Sequence, residues 1–107
     1  MTSKSTTNVN TALALGRATP QAVGVTAVPI VLQPITTNVS LFVRNAAIRL
    51  KVYKAPVTAL DLTSTNYHFI DVGERFTFSC DPNTIIAMIR DATAAVDALV
   101  EISELTI

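Results

Sequence analysis

The chain of 107 residues is half apolar, 15% charged and formally neutral. That balance fits one small domain and gives no global electrostatic reason to bind nucleic acid or an anionic membrane. Cys80 is the single cysteine, which excludes an intramolecular disulfide and a cysteine-based metal framework.

No apolar run reaches the length of a membrane span. The polar start MTSKSTTNVN leads to no long apolar segment of the signal-peptide kind. The expectation is a soluble protein made in a reducing cytoplasm. Residues 1–55 carry six bases and no acid, and residues 56–107 carry eight acids and two bases, so the halves stand at +6 and −6. The plainer reading is pairing across strands within one fold. The sharper one is docking on complementary neighbours.

Residues 1–22 differ from the rest: Met1–Asn10 is rich in Ser, Thr and Asn, and the brief apolar patch TALAL is stopped by Gly16 and Pro20. This reads as an extended N-terminal arm that a neighbour would hold in place. From residue 23 onward the pattern is of short strands. Val23–Leu32 is rich in Val and Ile, and Pro29 within it points to an edge strand, a bulge or two short strands. Asn38–Arg44 sets Val39, Leu41 and Val43 against Ser40, Phe42 and Arg44. Ile48–Lys54 sets Ile48, Leu50 and Val52 against Arg49, Lys51 and Tyr53, the period of a half-buried strand. The link Asn45-Ala46-Ala47 has hairpin length.

After a longer connection with Pro56, Tyr67–Val72 and Arg75–Cys80 flank Gly73-Glu74, again at hairpin spacing. Phe76, Phe78 and Cys80 share one face, the expected buried one. Asp81-Pro82-Asn83 is a turn by composition, and the apolar run in Thr84–Arg90 suits a central strand covered on both faces. Ala92–Leu105 is open between an amphipathic helix capped by Asp91 and a turn followed by a strand. Its β-branched residues point to the strand. Turns and strands at this spacing predict an all-β protein: a single antiparallel β-sandwich, jelly-roll-like, over residues 23–107, after an extended arm over residues 1–22.

Chemistry is hard to place on such a chain. His68 is the only histidine, and Asp71 three residues on falls on the opposite face of a strand. No HExxH, calcium loop or Cys/His pair occurs. Asp71 and Glu74 beside a turn are the thin exception, and glycines at 16, 24 and 73 form no phosphate loop. The reading is non-enzymatic, with no cofactor and no metal. Arg44, Arg49, Lys51 and Lys54 with Tyr53 form the one candidate nucleic-acid surface, short of stacking aromatics. Carbohydrate recognition would rest on Tyr53 and Tyr67, with Phe42, Phe69, Phe76 and Phe78 read as core.

Taken in order, VSLFVRNA, IRLKVYKAP, YHFIDVGERFTF, the DPNT turn, IIAMIRD and VDALVEISEL resemble the layout of small β-sandwich virion proteins of tailed bacteriophages. The resemblance implies a capsid cement or decoration subunit, located in the virion and made in the host cytoplasm. Its implied partners are the major capsid protein and further copies of the chain. Neck, tail or fibre-base position is the alternative, and a carbohydrate- or host-surface-binding module the alternative of another class. An arm and a sheet edge can grip a partner through main-chain hydrogen bonds. On that basis the residues expected to meet a partner are Thr11, Leu13, Leu15 and Arg17 in the arm, Val28 and Ile30 on the edge, and Arg49, Lys51 and Tyr53.

Overall fold

Period-2 alternation becomes strand wherever the sequence carries it, in a computed structural model that describes residues 14–54 and 67–106. Eight strands run through the described residues: β1 (Ala14–Val23), β2 (Val28–Val31), β3 (Asn38–Arg44), β4 (Ile48–Lys54), β5 (His68–Ile70), β6 (Arg75–Ser79), β7 (Thr84–Arg90) and β8 (Ala98–Thr106). They form two antiparallel four-stranded sheets, ordered β1-β8-β3-β6 and β2-β7-β4-β5. The pairing is nested: β1 with β8, β2 with β7, β3 with β6 and β4 with β5. This is the double Greek key of a jelly roll, a β-sandwich as the strand pattern predicts.

Between the sheets lie Val39, Leu41, Val43, Val100 and Ile102 from one side and Ile48, Leu50, Ile70, Ile86 and Met88 from the other. Phe76, Phe78 and Cys80 pack against this cluster from the β6 edge. Desolvation raises the Cys80 thiol pKa above its ordinary value, with the charges of Glu104 and Asp81 adding to it. Ile85 to Met88 are buried on both faces, as befits a strand flanked by β2 and β4. The ambiguous C-terminal stretch resolves into a turn and strand β8, whose Ala98, Val100 and Ile102 turn inward.

Two expected hairpins are absent. Asn45-Ala46-Ala47 and Gly73-Glu74 each carry the chain from one sheet to the other, because β3 and β6 belong to the first sheet and β4 and β5 to the second. A link of two or three residues serves a sandwich corner as well as a hairpin, and strand pairing decides between them. Asn45 and Gly73 take the left-handed conformation that such sharp corners use, at φ 74° and 84°. Among the described connections all six change sheets. Only β4 and β5, joined through residues 55–66, are successive and adjacent in one sheet.

The sandwich also begins earlier than the sequence division at residue 23. Residues 14–22, read as arm, form an edge strand on β8, while residues 1–13 lie outside the described residues. Two interruptions disguised this strand: Pro20, and a register shift between Leu15 and Ala18. Gly16 sits in that shift, and a Cβ there would stand 2.9 Å from the backbone oxygen of Glu104. A backbone atom cannot swing aside as a side chain can. Gly16→Ala is therefore expected to destabilise the fold by about 1–3 kcal/mol, measured by urea denaturation.

Candidate interaction surface

Strand parity sorts the nine expected contact residues. Thr11 and Leu13 lie outside the described residues. Leu15, on the bulged end of β1, is 86% exposed. Val28 and Ile30 pair with Met88 and Ile86 and are half-buried, with Ile30 packed against the core cluster. Their neighbours Pro29 and Val31 take the outer face instead, and Val31 is 60% exposed. The signal for this was the direction of one short strand, which four residues with a proline cannot set by pattern alone.

Arg49, Lys51 and Tyr53 do come together, on the outer face of the second sheet. Across that face the rungs read Val31–Ile85–Tyr53, Pro29–Ala87–Lys51 and Ile89–Arg49–Phe69. The arrangement is an apolar stripe on β2 and β7 beside a basic and aromatic stripe on β4, with Ile85 and Ala87 of β7 buried and the exposed apolar surface carried by Pro29 and Val31 of β2. Phe69, expected in the core, stands 54% exposed at the β5 edge of this face. Phe42 also leaves the core, lying on the outer face of the first sheet beneath Arg44 and Arg75. Arg49 stacks on Tyr67 at 4.9 Å and Lys51 on Tyr53 at 5.4 Å, so both cations lie along the face.

Arg17 has a different role from the one expected. Its guanidinium turns under the sheet and pairs with Glu104, whose side chain is fully buried. Its terminal nitrogen donates to the backbone oxygen of Val31 at 2.8 Å. Glu104 also accepts from the Gln33 amide at 2.8 Å and from the Thr36 hydroxyl at 2.7 Å. Burial pushes its carboxyl pKa up, but Thr36, Gln33 and Arg17 together hold it below the ordinary value. At the other end of the sandwich, Asp91 accepts from the Thr93 hydroxyl and amide and from Arg49 Nε at 3.2 Å. Those bonds, Thr93 foremost, outweigh desolvation and lower its pKa.

The ion pairs read off the described residues are Arg17–Glu104, Arg44–Glu101, Arg49–Asp91, Lys54–Asp81 and Arg90–Asp97. Four of these join a base of the first half of the chain to an acid of the second. The opposed charges of the halves are thus turned on each other within one molecule. His68 stacks on Phe76 at 5.6 Å. No group of three or more His, Cys, Asp or Glu able to hold a metal ion occurs among the described residues, and no helix there is long and apolar enough to cross a membrane. No protein-family model, curated protein or solved structure matches the chain.

The Glu104 clasp makes a signed prediction. A carboxylate whose folded pKa lies below its unfolded value adds stability that is complete above the unfolded value. That stability is lost as pH falls through the folded one. The wild type should lose stability as pH drops below 4.5, the ordinary glutamate value, in urea titrations run from neutral to acid pH. Glu104→Gln should flatten this dependence. At neutral pH it should cost about 1–3 kcal/mol, because the fully buried Glu104 position loses the charge around which Arg17, Gln33 and Thr36 are arranged.

Proposed function

We propose that this protein is a non-enzymatic structural subunit of a tailed-phage virion, acting as a capsid cement or decoration subunit bound to the major capsid protein. The observation that carries the reading is the outer face of the second sheet. Exposed Pro29 and Val31 on β2 and exposed Phe69 on β5 flank Lys51 and Tyr53 there, while Arg49 beside them is paired with Asp91, as most other charges among the described residues are paired internally. Fold alone does not assign a function, and jelly rolls serve shells, lectins and enzymes alike. The resemblance of Val39–Ile107 to small virion proteins directs the choice among them.

A shell subunit needs many modest contacts rather than one strong site. Repetition over many copies of a lattice makes contacts of that size collectively durable. An amphipathic sheet face suits such a role, since it offers exposed apolar side chains on its two edge strands, Val31 and Phe69, and the Lys51 cation on an inner strand. Tyr53 and Tyr67, the carbohydrate candidates, each carry a cation against the ring.

The test is cosedimentation of the full chain with shells assembled from the coat protein of the same virus. Saturation at hundreds of copies per shell is expected. Val31→Glu combined with Lys51→Glu should abolish it while leaving the unfolding free energy from urea titration within about 0.5 kcal/mol of wild type. Saturation at a dozen copies would move the protein to the neck or tail. No binding to shells at all would sink the virion reading.

A further inference from the structure

Among the described residues the two open sheets have four edge strands, β1 and β6 in one sheet and β2 and β5 in the other. Open edges invite other strands, and proteins blunt them with prolines, bulges, short lengths or charge. Pro20 and the register shift interrupt β1. In β2 the Leu32 amide donates to the Thr84 oxygen, which by alternation turns Pro29 toward the open side, where it supplies no donor. Strand β5 spans only His68–Ile70. Among the described residues strand β6 carries no proline and no register shift, and its one charged side chain is Arg75.

The backbone of β6 is directed by its register. The Val43 amide donates to the Glu74 oxygen at 3.2 Å, and the Cys80 amide to the Thr37 oxygen at 2.9 Å. With the pairing of Val39 to Phe78 and Leu41 to Phe76, residues 74, 76, 78 and 80 bond toward β3. Antiparallel alternation then turns the N–H and C=O of Arg75, Thr77 and Ser79 outward. The side chains of these three do not shield that edge. Arg75 reaches back over the Phe42 ring and to the Ser40 hydroxyl, Thr77 also bonds Ser40, and Ser79 accepts from Asn38. Every one is drawn onto β3.

We propose that β6 pairs antiparallel with β6 of a second copy of this chain, about a two-fold axis at Thr77. The strand reads Arg-Phe-Thr-Phe-Ser, near-palindromic about its centre. In that register Thr77 faces Thr77, Arg75 faces Ser79, and Phe76 faces Phe78 of the other copy. No like charges meet. The outward-facing residues 75, 77 and 79 oppose one another, so all three donors and three acceptors of each copy find partners in one register. Slipping the pairing by one residue would set these outward groups against residues that bond inward. The half-buried rings of Phe76 and Phe78, 5.5 Å apart within one copy, would gain cross-strand aromatic neighbours. Each first sheet would continue into the other, giving eight strands in a row. This pairing does not depend on the virion reading, and a protein of any function with this edge would show it.

Register-specific cross-linking of the full chain tests it, in a Cys80→Ser background. Directly opposed, hydrogen-bonded residues have Cα atoms about 5.5 Å apart, within disulfide reach. Thr77→Cys should oxidise to a covalent dimer, doubling the 11.4 kDa mass. Ser79→Cys alone should stay monomeric under the same oxidation, and mixing it with Arg75→Cys should restore a covalent dimer. In the unmodified chain, exchange at the amides of Arg75, Thr77 and Ser79 should slow as concentration rises, a readout that no substitution can disturb. Monomer mass throughout a dilution series would overturn the proposal, as would equal cross-linking by Thr77→Cys and Ser79→Cys. Slowed exchange at this edge only when another protein is added would assign it to a foreign strand instead.

Discussion

A carboxylate with no exposed surface sits on the strand that the first sheet is built around. Glu104 in β8 is held by three donors from separate parts of the chain: Arg17 in β1, and Gln33 and Thr36 in the β2–β3 connection. Arg17 then reaches on to Val31, so the edge strands of both sheets are tied at one end of the sandwich. A buried charge is tolerated only when paired and fully hydrogen-bonded. The consequence is a demand on register. Moving β8 by one residue would carry Glu104 to the outer face and turn Leu105 inward, leaving the three donors without an acceptor.

The nested pairing explains why such a clasp is needed. With every described connection changing sheets, neighbours in sequence are seldom neighbours in a sheet, and turns alone cannot set the registers. Asp91 performs a similar task at the opposite end. Its amide donates to the Ala47 oxygen, and its carboxylate gathers Thr93 and Arg49, joining the β7–β8 corner to the start of β4. The apolar layer between the sheets supplies most of the burial, yet apolar contacts are non-directional. Two carboxylates, one at each end, supply direction.

The strands were legible because their periods are undisguised. Ile48–Lys54 and Arg75–Ser79 alternate cleanly, and β7 shows the continuous apolar run of a central strand. What escaped was relational. Nothing in Asn45-Ala46-Ala47 says whether β4 lies beside β3 or across from it. Strand β1 was hidden because Gly16, Arg17 and Pro20 break its pattern. Their reasons lie elsewhere: a carbonyl of β8 that leaves no room for a Cβ, a carboxylate 87 residues away, and an open edge. Arg17 looked like a partner contact because a lone arginine in a polar segment carries no mark of its acceptor. The outer face of the second sheet was half legible, since β4 declared Arg49, Lys51 and Tyr53 while the phase of β2 did not declare Val31.

The internal pairing of charge also narrows how this molecule can adhere to anything. Four bases that might have formed a basic docking patch are spent on acids of the same chain. The exposed pairs Arg44–Glu101 and Lys54–Asp81 contribute little stability, but all four cancel the long-range field that would steer a charged partner. What remains for contact among the described residues is short-ranged: the exposed apolar side chains on the edges of the second sheet, Val31 and Phe69, and the open backbone of β6. Both act only after close approach, and neither weakens much with salt, because screening acts on separated charges.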